Sequence, residues 1–161
     1  MLELKNIQKS FGDCVANDDV SLIVNTATIH AIVGENGAGK STAMKVVYGF
    51  YSPDGGEILL NGQPVTIKNP HDAIAFRIGM VHQHFMLAGP YSVLDNIILG
   101  AEPGRVFGPI DRKSARLKLT ELSKKYGLDV PLDANVETLP VGVQQRIEIL
   151  KTLYRGCEIL I

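Results

Sequence analysis

Apolar positions fall at strand spacing in the first half of the chain and at helix spacing in much of the second. Leu2–Ile7 alternates apolar and polar residues and predicts a half-buried strand, and Val20–Val24 predicts a second. Thr28-Ile29-His30-Ala31-Ile32-Val33 is a nearly unbroken apolar run and predicts a buried strand, followed by a helix over Ser41–Tyr48. Pro53-Asp54-Gly55-Gly56 marks a turn, with a short strand expected over Glu57–Leu60. Asn61-Gly62 then signals a hairpin returning over Val65–Ile67. Asn69-Pro70 opens a short helix over His71–Phe76, with the proline in its first turn, and Ile78–His82 predicts a further strand.

After Phe85 the period changes. Ser92-Val93-Leu94-Asp95 has the layout of a capping box before Asn96-Ile97-Ile98-Leu99. Gly100 through Pro109 is a loop rich in glycine and proline. Asp111 caps a long helix in which Ala115, Leu119, Leu122 and Tyr126 share one face, and Gly127 ends it. Val143, Ile147, Leu150 and Tyr154 form a second stripe before Gly156. The pattern therefore predicts an α/β part over residues 1–84, rejoined by a final strand within 155–161, and an all-helical part over 85–154. Cys157-Glu158-Ile159-Leu160-Ile161 reads as the middle of a hydrophobic strand, which points to a core sheet continuing on the C-terminal side.

Composition changes this picture little. The 161 residues suffice for one domain with a real core, and a net charge of −1 offers no electrostatic case for nucleic acid. No apolar run approaches the roughly 20 residues that span a bilayer. The start, Met1-Leu2-Glu3-Leu4-Lys5, lacks the layout of a signal peptide. Cys14 and Cys157 fit neither a disulfide framework nor a zinc spacing. Together these features read as a soluble cytoplasmic protein.

The chemistry concentrates in Gly34-Glu35-Asn36-Gly37-Ala38-Gly39-Lys40-Ser41, followed by Thr42. Every fixed position of the phosphate-loop pattern G-x-x-x-x-G-K-[ST] is filled, between a predicted strand and a predicted helix. Glycines let backbone N–H groups turn inward around phosphate oxygens, and a helix N-terminus adds partial positive charge. Lys40 can reach terminal phosphates, and the Ser41 hydroxyl can ligate Mg²⁺.

Other candidates are less specific. Phe11 is a core or turn residue by itself, but beside a phosphate loop it becomes a platform for a purine base. Gln83 follows a predicted strand, where it can ligate Mg²⁺ and hold a water, or be a surface residue. His82 and His84 form an H-x-H pair without a third ligand nearby, so they are not read as a metal site. Leu139-Pro140-Val141-Gly142-Val143-Gln144-Gln145-Arg146 has ordinary helix-start punctuation.

Taken together, the order of these pieces resembles the ATP-binding subunit of ABC transporters. Leu139, Pro140, Val141, Gly142, Val143 and Gln144 fall where that family carries its LSGGQ-Q-R signature. Pro140 stands where serine is usual, Val141 where the first glycine is usual and Val143 where glutamine is usual. With Met80-Val81-His82-Gln83-His84-Phe85, the segment looks most like the branch importing nucleosides and simple sugars.

The resemblance implies a P-loop NTPase core of RecA type, with an N-terminal antiparallel β part and a helical subdomain, ending before the core sheet is complete. It implies ATP and Mg²⁺ as ligands, with Phe11, Gly34–Thr42 and Gln83 at the nucleotide, Ser41 and Gln83 at the metal, and the signature segment facing a partner's ATP. It assigns no catalytic residue within residues 1–161, since the family's Asp-Glu pair would follow Ile161. The implied partners are a second ATP-binding domain, membrane permease subunits and, indirectly, an extracytoplasmic solute-binding protein. The implied location is the inner face of the membrane. Rival readings are a small-molecule kinase or a non-transport ABC ATPase. The first is disfavoured because Arg105, Arg112 and Arg116 are too scattered for an arginine-rich lid, and the second because no basic arm is present.

Overall fold

The computed structural model describes residues 1–82, 85–104 and 109–161, and its chain divides into two compact units, Met1–Phe76 and Arg77–Ile161. In the first unit, β1 (Leu2–Phe11), β2 (Cys14–Val24), β3 (Gly55–Leu60) and β4 (Gln63–Val65) form an antiparallel sheet in the order β2-β1-β3-β4. β1 and β2 run well past the predicted bounds. The polar stretch Gln8-Lys9-Ser10 carries no apolar alternation, yet Lys9 pairs with Asn17 and Ser10 with Val15 across the hairpin. Leu2, Leu4 and Ile7 are all buried, although Ile7 is out of step with a strict period of two. The register shift between Leu4 and Ile7, with Asn6 at φ 51°, supplies the extra residue that returns Ile7 to the inner face.

Asn61 and Gly62 join β3 to β4 with φ of 50° and 79°. Two positive φ values in a two-residue loop are what a twist-matched hairpin requires, and this is why the Asn-Gly pair was legible. The return strand is Gln63–Val65, two residues earlier than expected, while Ile67 packs into the core instead. Helix α1 (Lys40–Val47) buries Ala43, Val46 and Val47. Helix α2 (Pro70–Ala75) is capped by Asn69, whose side chain accepts from the Asp72 N–H at 3.1 Å.

One expectation fails in this unit. Thr28–Val33 is not a strand and is not buried: Ile29 is 101% exposed and Val33 89%. An apolar run becomes a core strand only where neighbours supply a ladder on its edges and a cover on its faces. The four strands of the sheet are fully accounted for by β1–β4, and none pairs with this segment.

In the second unit, β5 (Ile78–Gly79) pairs in parallel with β6 (Ile159–Leu160). The predicted strand over Ile78–His82 is thus shorter, although the Val81 N–H still donates to the Ile161 carbonyl at 2.8 Å. Helices α3 (Val93–Ile98), α4 (Arg112–Tyr126) and α5 (Val141–Tyr154) enclose Leu94, Ile97, Ala115, Leu119, Ile147, Leu150 and Tyr154. The caps are those the sequence signalled: Ser92 accepts from the Asp95 N–H at 3.1 Å and Asp111 from the Ser114 N–H at 3.0 Å. The α4 stripe gives out at its end, where Tyr126 is exposed and lies beside the Lys125 ammonium. Asn96 is buried, and its amide contacts both the N–H and the C=O of Ala88, pinning the turn before α3. No helix among the described residues is long and apolar enough to cross a membrane.

Candidate functional site

In the first unit the phosphate loop ends at Gly39, which caps α1 in the left-handed region at φ 79°. β2 presses directly on this point. A Cβ on Gly39 would lie 2.0 Å from the Ala16 carbonyl oxygen and 2.7 Å from the Asn17 side-chain nitrogen. Glycine is therefore required here on two independent grounds, conformation and space. The Asn17 amide donates to the Gly39 carbonyl at 3.2 Å, and that same carbonyl receives the Ala43 N–H at 3.0 Å as the first bond of the helix. Asn17 is buried and its Oδ1 has no hydrogen-bond partner among the described residues.

Earlier in the loop, the Ala38 N–H donates to the Glu35 carbonyl at 3.2 Å, and Gly37 sits at φ 87°. Lys40 folds over the loop, donating to the carbonyls of Gly34 at 2.7 Å and Glu35 at 2.6 Å. A cation drawn back across a backbone loop, with the helix N-terminus beneath it, suits an anion. These glycine angles and this donor set fit a nucleotide's phosphates. Ser41 and Thr42 complete the first turn of α1, where the Ser41 hydroxyl, a hard oxygen, suits Mg²⁺.

Phe11 closes β1 with 43% of its surface exposed. Its ring stands edge-to-face with Tyr51, with centroids 5.0 Å apart and planes at 74°. The Lys9 ammonium lies 5.5 Å from the Phe11 centroid and is held by Asp54 at 2.7 Å. The hydrogen bond from Lys9, and then that from the Ser10 N–H, hold the Asp54 carboxyl below its ordinary pKa.

The signature-like segment lies in the second unit and is described by itself. Pro140 caps α5 without a side-chain hydrogen bond, and Val141 and Gly142 open the helix. A Cβ on Gly142 would meet nothing within 4 Å. Gln144 folds back to donate to the Leu139 carbonyl at 2.9 Å, fixing the turn. Val143 is partly buried against the helical core. Gln83 and His84 lie outside the described residues, as does Arg105. Among the described residues no group of three or more His, Cys, Asp or Glu side chains is placed to hold a metal.

Sequence reasoning missed Asn17, Tyr51 and Asp54. Each acts through a residue distant in the chain, and only Asp54, in a turn motif, carried any local signal.

The protein-family model described as ABC transporter matches residues 17–161. The guanosine import ATP-binding protein NupO of Bacillus subtilis (strain 168) is 52% identical over 100% of this chain and 31% of that protein. The nucleoside import ATP-binding protein NupA of Lactococcus lactis subsp. cremoris (strain MG1363) is 48% identical over 100% of this chain and 32% of that protein. The chain thus spans about a third of the length of these curated relatives. The solved structure of a nucleotide-free ATP-binding cassette from an ABC transporter superposes with a TM-score of 0.85 at 26% identity, covering 99% of this chain and 67% of that one.

Proposed function

This chain belongs to the ABC transporter family, and on that premise we propose that it is the N-terminal ATP-binding part of an importer for a nucleoside or simple sugar. The observation that carries this reading is the loop ending at Gly39, pinned by Asn17 and overlain by Lys40, at the head of α1. In it, backbone N–H groups of Gly34–Thr42 hold phosphate oxygens, Lys40 neutralises their charge and Phe11 stacks on the base. Mg²⁺, when bound, offsets phosphate charge and orients the terminal groups, with Ser41 and Gln83 as its protein ligands.

The identity to importers of guanosine and nucleosides supports a nucleoside cargo, selected in other subunits. The partners are a second ATP-binding domain, which meets the Leu139–Gln144 segment, and membrane permease subunits served by a solute-binding protein, at the inner face of the membrane. We assign residues 1–84 and 155–161 to the nucleotide core and 85–154 to the helical part; the pairing of β6 with β5 supports grouping 155–161 with the segment at Ile78–Gly79. None of residues 1–161 is assigned the proton transfer of hydrolysis; this chain's role is to bind and orient.

Lys40→Ala tests the reading. A charge-assisted hydrogen bond is worth about 1.5–3 kcal/mol, so calorimetric titration with ATP should show affinity falling tenfold or more. The two carbonyls that Lys40 releases are solvent-accessible and can bond water, so the melting temperature should hold. ATP affinity equal to that of the unaltered chain would reject the phosphate-loop assignment.

A further inference from the structure

We propose that Tyr51 is a positioning residue for the nucleobase, holding the ring of Phe11 by edge-to-face contact and tying it to the helix that carries the phosphate loop. The inference rests on the reading above, in which Phe11 stacks on the base.

A phenylalanine at the exposed end of a strand has little to fix its plane, and a stacking platform that rotates freely loses entropy each time a base binds. Phe11 is not free in this way. Tyr51 approaches it at 5.0 Å and 74°, the edge-to-face geometry in which the positive edge of one ring meets the negative face of the other. Tyr51 itself is half-buried and anchored. Its N–H and that of Phe50 both reach the Lys45 carbonyl, at 3.4 Å and 2.8 Å, in the last turn of α1. The Lys45 ammonium also lies 5.7 Å from the Tyr51 centroid. The Lys9 ammonium also lies near the Phe11 ring and is itself fastened by Asp54.

One continuous element therefore connects both ends of the ligand. Helix α1 begins at Lys40 with the phosphate contacts, and its last turn carries the backbone that seats Tyr51. Eight residues of helix span about 12 Å, the scale of a nucleoside triphosphate from base to terminal phosphate. Tyr51 thus sets both the plane of the platform and its distance from the phosphate loop.

The consequence separates the two halves of the ligand. ATP needs loop and platform, whereas inorganic tripolyphosphate needs the loop alone. By calorimetry on the full chain, Tyr51→Ala should weaken ATP about three- to tenfold, the worth of one aromatic pair, and leave tripolyphosphate unchanged. Tyr51→Phe keeps the ring and should retain ATP affinity. Tyr51→Leu keeps the apolar bulk without the ring, so it should fold where the alanine variant fails, and should weaken ATP selectively. With Phe11→Ala already in place, removing Tyr51 should cost ATP affinity no further.

Equal weakening of ATP and tripolyphosphate would overturn the proposal, since Tyr51 would then merely support α1. Unchanged ATP affinity in Tyr51→Leu, beside a loss in Phe11→Ala, would overturn it while leaving the base-stacking reading intact. No effect of Phe11→Ala on ATP would remove that reading, and the proposal with it.

Discussion

Gly39→Ala is expected to abolish measurable nucleotide binding and to lower the melting temperature by about 5 °C or more. The added methyl would sit 2.0 Å from the Ala16 carbonyl oxygen. That neighbour is strand backbone, so no side-chain rotation relieves the clash, and either β2 or the loop must move. The left-handed φ of 79° adds about 1–2 kcal/mol for any residue with a Cβ. At this chain length each kcal/mol lowers the midpoint by about 2–4 °C. Moving Gly39 also displaces the carbonyl that accepts from both Asn17 and Ala43, so the first turn of α1 and the loop fail together. Gly37→Ala is the control: its φ is 87°, but a Cβ there meets nothing within 4 Å, so it should carry the conformational cost without the clash. Thermal melts followed by circular dichroism, with ATP titrations on each variant, check both halves. A Gly39→Ala chain that binds ATP normally would show that this contact does not shape the loop.

What the sequence made legible was local chemistry. Asn61-Gly62, Ser92, Asp111 and Gly127 each satisfy a geometric need within a few residues, so each could be read without knowing the fold. The phosphate loop belongs to the same class: its glycines and lysine act on backbone that they carry themselves. Thr28–Val33 shows the opposite case. Its apolar content suits a core strand, but a strand exists only with its ladder, and no strand of the described residues pairs with it. Local composition could not supply that information.

Asn17 and Tyr51 were illegible for a related reason. Asn17 lies in a strand of mixed polarity and acquires its role from the carbonyl of a residue 22 positions on. Tyr51 sits in a turn, and nothing in its neighbours in sequence points to Phe11. The sequence shows the aromatic platform as one residue, because Phe11 is the only aromatic upstream of the loop. Its second member becomes visible only when the hairpin and the end of α1 are brought together.

The segment opening α5 predicts an opposition between stability and function. Gly142 is helical, faces open space and costs roughly 1 kcal/mol relative to alanine at an exposed helical position. Pro140 supplies no side-chain cap, and no acidic residue occupies the first turn, so the first turn of this 14-residue helix does nothing to offset its positive end. Gly142→Ala should therefore stabilise the chain. Gly142→Asp should at least hold its melting temperature, because a carboxylate in the first turn is worth about 0.3–1 kcal/mol against the helix dipole. In the assembled transporter the same carboxylate would oppose the partner's terminal phosphate, and steady-state ATPase should fall tenfold or more. Pro140→Ser moves the other way: it restores a capping oxygen, worth about 1 kcal/mol, and a hydroxyl that can reach phosphate, so ATPase should rise or hold. Melts of the chain, set beside ATPase and uptake by the transporter, read the two effects separately. Full ATPase and uptake with Gly142→Asp would mean that this helix end faces no nucleotide, and that its likeness to the family signature carries no function.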